Sequence, residues 1–233
     1  MNLLAIETAT DCCSCALTAA GTLRWRELHT PRGHAERVLA MIDALLAEAG
    51  LEAAALDGIA FGRGPGSFTG LRIAAGVAQG LAWARGIPVA PVSTLQALAL
   101  AAARRHGATR VLAALDARMG EVYWGSYTGG GPLEAAGPER VCPPEAVEVP
   151  AEDGWLGAGP GWGRHGEALR ARLGDRVAAI EPELLPSARD LLAPAAEALR
   201  RGRGVGAGDA LPVYLRDRVA APRSRPDTGN PPR

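Results

Sequence analysis

Ala60-Phe61-Gly62-Arg63-Gly64-Pro65-Gly66 and Trp155-Leu156-Gly157-Ala158-Gly159-Pro160-Gly161 are one phrase written twice. Each is a short apolar run that ends in Gly-Pro-Gly, and each leads into a helix-like stretch, residues 68–84 and 163–173. An apolar run closed by glycine and proline reads as a buried strand ending in a sharp turn. A second echo precedes each copy: Asn2-Leu3-Leu4-Ala5-Ile6-Glu7 resembles Arg110-Val111-Leu112-Ala113-Ala114-Leu115-Asp116. Both lead into a further strand, at residues 12–18 and 121–127. Two echoes in the same order predict a duplicated unit.

Around these anchors the first half reads as a meander followed by alternating helices and strands. Three short strand-like runs at 2–7, 12–18 and 23–29 are separated by Thr10-Asp11 and Ala20-Gly21. Residues 34–49 form an amphipathic helix, with Ala35, Val38, Leu39, Ile42, Leu45, Leu46 and Ala49 at helical spacing and Gly50 as its stop. Strands at 56–61 and 88–92 then alternate with helices at 68–84 and 94–105. The second half adds a strand at 176–180 and a helix from 187 to 201 that Pro194 is expected to kink or split. The pattern predicts an α/β, two-lobed actin-like (ASKHA, ribonuclease H-like) fold with duplicated βββαβαβα lobes. Residues 1–107 form the N-terminal lobe, 108–220 the C-terminal lobe and 221–233 a flexible tail.

The chain has 233 residues, 48% hydrophobic and 21% charged, enough to bury a core. Its 25 basic and 25 acidic residues cancel, unlike the basic excess of a general nucleic-acid binder. Every basic residue is arginine. Without lysine there is no Walker A loop, Schiff-base lysine or serine–lysine dyad. Cys12, Cys13, Cys15 and Cys142 lack zinc-site spacing and read as small buried thiols in a reducing compartment. No basic leader precedes the first strand, and the longest uncharged run, residues 86–103, is broken by Pro88 and Pro91. A cytoplasmic protein with no membrane association is expected.

The densest local signal is Gly62 to Gly70. Glycines at a strand-to-helix turn let backbone N–H groups face an anion, so Gly64, Gly66, Ser67 and Thr69 are candidates for a phosphate cradle. The alternative is a tight crossing of two backbones with nothing bound. The helix that follows is small-sided, with Gly70, Ala74, Ala75, Gly76, Ala78 and Gly80, and admits close helix packing.

Taken together, ETATDCCSCAL, HAERVLAMIDALL, GRGPGSFTGLRIAAGVAQGLA, GIPVAPVSTLQALA, DARMGEVYWG and PVYLRD resemble the TsaB (YeaZ) family, in family order over residues 3–218. The resemblance implies a non-catalytic partner, with no cofactor of its own, of a related catalytic subunit, TsaD, joined by the ATPase TsaE. TsaD transfers a threonylcarbamoyl group to the tRNA adenosine beside the anticodon (t6A modification). The catalytic relative carries a His-x-x-x-His pair for a metal; the aligned positions here are Thr94 and Leu98, which offer no imidazole. His29, His34, His106 and His165 are never four residues apart. Neither a catalytic nor a metal residue is therefore expected.

Glu7 and Asp116 stand where actin-type enzymes put carboxylates around a magnesium nucleotide, and with the glycine-rich turn they read as a vestigial nucleotide site. The alternative is an active nucleotide-binding hydrolase or kinase using the same residues. The first two helices are expected to dock on the partner through a four-helix contact of ~1,600 Å². Met41, Leu45, Ile73, Val77 and Leu81 would form its centre, with His34 and Arg37 at the rim. The same face would pair two copies of this chain when alone. The arginines at 200, 201, 203, 216, 218, 223 and 225 read as solvated ends, so tRNA would be met only through the complex.

Overall fold

In the computed structural model, which describes residues 1–130 and 133–216, two sheets are built on one plan. The expected tail at 221–233, with Arg223 and Arg225, lies outside the described residues, as does Arg218 before it. In the first sheet β1 (Leu3–Glu7), β2 (Cys12–Ala19) and β3 (Thr22–His29) form an antiparallel meander, and β4 (Gly58–Gly62) and β5 (Val89–Val92) lie parallel to β1. The order is β3-β2-β1-β4-β5. β1 and β4 are buried throughout, as strands covered on both faces must be, and read as continuous apolar runs. β3 is the exposed edge; it carries Arg24, Arg26 and Glu27, charges that discourage further strand pairing.

The second sheet repeats this order with β6 (Arg110–Arg118), β7 (Glu121–Thr128), β8 (Glu134–Ala135), β9 (Arg140–Cys142), β10 (Trp155–Ala158) and β11 (Val177–Glu181). β6 and β7 are antiparallel, and β10 and β11 run parallel to β6. The strand plan is duplicated, whereas the helices are not fully so. α1 (His34–Ala49) follows the first meander; after the second there is only a single 3-10 turn, Pro144–Ala146. Pro143, Pro144 and Pro150 supply no backbone donors there, which denies a helix its ladder.

Caps set the other helices. α2 (Phe68–Arg85) starts at Ser67, whose hydroxyl accepts from the Gly70 amide. α3 (Thr94–His106) starts at Ser93, which accepts from Leu95 and Gln96. α4 (Pro160–Leu173) begins at Pro160, three residues before the expected start, since proline suits the first helical position. α5 (Ala188–Arg200) runs on through Pro194 and is not split; only the Asp190 carbonyl, four residues back, loses its partner. No helix among the described residues is long and apolar enough to cross a membrane.

The lobes exchange helices. α3 precedes the second sheet in the chain yet packs Leu95, Leu98, Ala99 and Ala102 into its core with Val111, Ala113 and Leu156. α5 follows that sheet yet packs Ala188, Leu191, Leu192 and Ala195 against Leu3, Ala5, Ala60 and Ala90 of the first. The two exchanged helices meet through a bidentate ion pair. Arg104 Nε lies 2.8 Å from Asp190 Oδ1 and Nη2 lies 3.0 Å from Oδ2. Burial pushes the Asp190 carboxyl up, while Arg104 pulls it back down. Arg104→Ala is expected to cost about 2–3 kcal/mol at pH 7, less than a fully buried pair because the guanidinium is partly in water. Since the abandoned carboxyl would protonate, the loss should shrink as pH falls in urea unfolding curves run from pH 7 to 4.

Candidate functional site

A cleft of roughly 1010 Å³ lies between the sheets. The β1–β2 loop, the starts of α1, α2 and α4, the β6–β7 turn and residues 213–216 wall it. Three helix N-termini therefore open on one space and give it a positive lining, opposed by Asp11, Glu36 and Asp116.

The glycine-rich turn is built for a crossing of two backbones. A β-carbon at Gly66 would meet the Ala9 carbonyl oxygen at 2.5 Å, and one at Gly70 would overlap the Thr8 carbonyl. Three of its amides are committed: Ser67 N–H donates to Ala9 O at 2.7 Å, Arg63 N–H to Val92 O at 2.8 Å, and Gly70 N–H to Ser67 Oγ. Thr8 Oγ1 donates back to Gly70 O at 2.7 Å. Of the two readings of this turn, the geometry supports the close crossing; Ser67 and Thr69 line the cleft, with Ser67 occupied as the α2 cap.

The two carboxylates expected to face one another have different surroundings. Glu7 is wholly buried and does not line the cleft. It accepts from Ala9 N–H at 2.7 Å and Thr94 Oγ1 at 3.0 Å, and packs against Gly62, where a β-carbon would strike it. Burial raises it to about 7, and the hydrogen bonds from Ala9 and Thr94 only partly offset the lost water. Asp116 does line the cleft, flanked by two guanidinium groups, Arg118 Nη1 at 3.4 Å and Arg164 Nε at 3.5 Å, and by the His165 imidazole, whose Nε2 lies at 3.4 Å. The paired-carboxylate arrangement is thus corrected to one buried carboxyl and one salt-bridged carboxylate. Thr94 and Leu98 are both structural, the first holding Glu7 and the second fully buried in the second core. No group of three or more His, Cys, Asp or Glu suited to a metal exists among the described residues. The thiols of Cys12, Cys13 and Cys15 are buried, which pushes Cys12 up to about 12.

The expected docking residues divide by helix face. Leu45 is fully buried beneath α1 with Val38 and Ile42, so it belongs to the core and cannot touch a partner. His34 is also turned inward; its Nε2 lies 2.9 Å from the Thr10 carbonyl and ties α1 to the β1–β2 loop. Met41, Ile73, Val77 and Leu81 are half-buried, packed on the first core with an outer edge free, and Arg37 is exposed. Sequence reasoning missed Leu39 and Trp83, 53% and 79% exposed on α1 and α2. It also missed Arg164 in the cleft and His165 beside Asp116. Helical phase places Trp83 with Gly76 and Gly80, where a β-carbon would meet nothing within 4 Å.

A family model described as "TsaD: tRNA N6-adenosine threonylcarbamoyltransferase" matches residues 28–156. The "tRNA threonylcarbamoyladenosine biosynthesis protein TsaB" of Escherichia coli (strain K12) is 41% identical over 94% of this chain and 96% of its own length. The protein of that name from Haemophilus influenzae is 38% identical over 94% and 95%. The solved structure "YeaZ from Pseudomonas aeruginosa" superposes with a TM-score of 0.86 at 52% identity, covering 92% of this chain and 99% of that one.

Two consequences are measurable. Glu7 binds its proton more tightly in the folded state than in the unfolded chain, so its contribution is best below pH ~4.5 and is lost as pH rises towards 7. Glu7→Gln should flatten that decline and raise stability at pH 8 by up to about 2–3 kcal/mol, seen in melting temperatures from pH 5 to 8.5. Along α2, Gly70→Ala should cost more than about 2 kcal/mol through the Thr8 clash, whereas Gly76→Ala should add ~0.5–1 kcal/mol. Chemical denaturation of both variants compares the two directly.

Proposed function

The chain belongs to the TsaB family of tRNA threonylcarbamoyladenosine biosynthesis proteins, and on that premise we propose that it is a non-catalytic subunit of a t6A-forming complex. In this reading it binds and supports a TsaD-like catalytic subunit, with a TsaE-like ATPase joining them. The partner subunit performs the transfer of threonylcarbamoyl to the tRNA adenosine beside the anticodon.

The observation that carries the proposal is the Thr94–Glu7 hydrogen bond. The position that would hold a metal-binding imidazole carries a hydroxyl, and that hydroxyl is spent on a carboxyl sealed in the core. The Arg63, Ser67 and Gly70 amides of the glycine-rich turn, and Asp116, are likewise engaged by the chain itself. What remains available is a surface. The outer faces of α1 and α2 present Arg37, Leu39, Met41, Ile73, Val77 and Trp83, and the uncovered glycines 76 and 80 let another helix approach closely. A TsaD-like relative with a similar helix pair fits such a face, as does a second copy of this chain when alone. Direct tRNA contact is not needed for this role.

Gly80→Arg separates docking from folding, because its side chain has open space and arginine favours the helix. The variant should fold with unchanged or higher melting temperature. It should bind the TsaD-like subunit at least ~10-fold more weakly, a loss of ~1.4 kcal/mol, in calorimetry. Transfer by the mixed proteins should fall with it. Turnover of magnesium–ATP by this chain alone, or t6A formation without a companion, would overturn the reading.

A further inference from the structure

Residues 211–216 pass from the first lobe to the second along the cleft wall. On the first lobe, Gln79 Nε2 donates to Ala210 O at 3.2 Å, and Val213 N–H donates to Arg63 O at 2.7 Å. The Val213 carbonyl lies 2.9 Å from where a β-carbon of Gly64 would stand, so that glycine also makes room for this segment. Tyr214 packs its ring 5.5 Å from Phe68, and its hydroxyl accepts from Arg72 Nε at 3.3 Å. On the second lobe, Arg216 Nη2 donates to Ala117 O at 3.1 Å and Arg118 O at 3.4 Å, and pairs with Glu121.

The turn that Arg216 grips is strained. Arg118 (φ 64°) and Met119 (φ 55°), neither a glycine, sit in the left-handed region ahead of Gly120 (φ 78°). Such residues persist only when their surroundings over-determine them. Here the restraints are Asp116, whose Oδ1 accepts from Arg118 N–H at 3.0 Å, and a guanidinium delivered from a distant part of the chain. Other ties between the lobes, Thr94–Glu7, Arg104–Asp190 and Arg63–Glu139, involve side chains that do not line the cleft; Tyr214 and Arg216 do.

We propose that residues 211–216 are a latch that holds the two lobes at a fixed separation, anchored through Tyr214 on the first and Arg216 on the second. The latch requires no partner and stands apart from the reading of the α1–α2 face. It adds, on the cleft side, to the ties that α3, α5 and their ion pair make on the far side of the lobes.

Hydrogen exchange followed by mass spectrometry on the full chain tests this. Arg216→Ala should raise exchange about tenfold in residues 118–123 and also in residues 63–70 on the facing wall, leaving β1 and β6 unchanged. Arg216→Lys, which keeps the charge but loses the planar fork, should fall between wild type and alanine. Tyr214→Ala alters only the first-lobe anchor, yet should loosen residues 118–123 on the second lobe. If Tyr214→Ala leaves that turn unchanged, or Arg216→Lys and Arg216→Ala change it alone, Arg216 is a local clamp and the latch is wrong. Should Arg216→Ala fail to fold, Tyr214→Ala and Arg216→Lys decide the matter by the same criteria.

Discussion

The contact between the Thr8–Ala9 backbone and the glycine-rich turn governs how this molecule is put together. Two main chains come so close that Gly66 and Gly70 can carry no β-carbon, and they are stitched by Ser67 N–H to Ala9 O and Thr8 Oγ1 to Gly70 O. The crossing fixes α2 against β1. It also leaves Glu7 pressed on Gly62 and sealed from solvent, its carboxyl answered by the Ala9 and Thr8 backbone and the Thr94 hydroxyl. Thr94 opens α3, and α3 belongs to the core of the other sheet. One local crowding thus reaches across both lobes.

That reach fits the docking role proposed for a body shaped like a two-lobed nucleotide machine. A machine of that shape opens and closes around its ligand; here the lobes share helices, with α3 and α5 each completing the sheet on the far side. Arg104–Asp190, Arg63–Glu139 and the segment at 211–216 tie them further. Groups that chemistry would use are engaged in holding the fold. Asp116 faces two arginines and an imidazole of its own chain, and Glu7 is sealed away. Rigidity is useful to a docking subunit, because a face held in place loses less freedom on binding.

Much of this was legible in the residues, and where it was not the reason is physical. Most strands, though not β8 or β9, and most helix ends were readable from apolar runs and glycine stops, and the doubled Gly-Pro-Gly phrase announced the repeated sheet. Leu45 was readable too: it shares the spacing of Val38, Ile42 and Leu46, the inward stripe, and should have been separated from Met41 on the flank. The missing helix of the second lobe was marked by Pro143, Pro144 and Pro150. By contrast, nothing local to Glu7 or Asp116 told which would be buried, since both end similar strands in similar phrases.

By itself the sequence determined the element types, the duplicated strand order and the family, because periodicity, turn residues and caps act over a few neighbouring positions. Only the tertiary structure decided that the glycines serve a backbone crossing, that α3 and α5 change lobes, and that Arg216 grips the turn at Arg118. Those outcomes depend on contacts between residues far apart in the chain, where burial and the demand that every polar group find a partner choose among options that local pattern leaves equal.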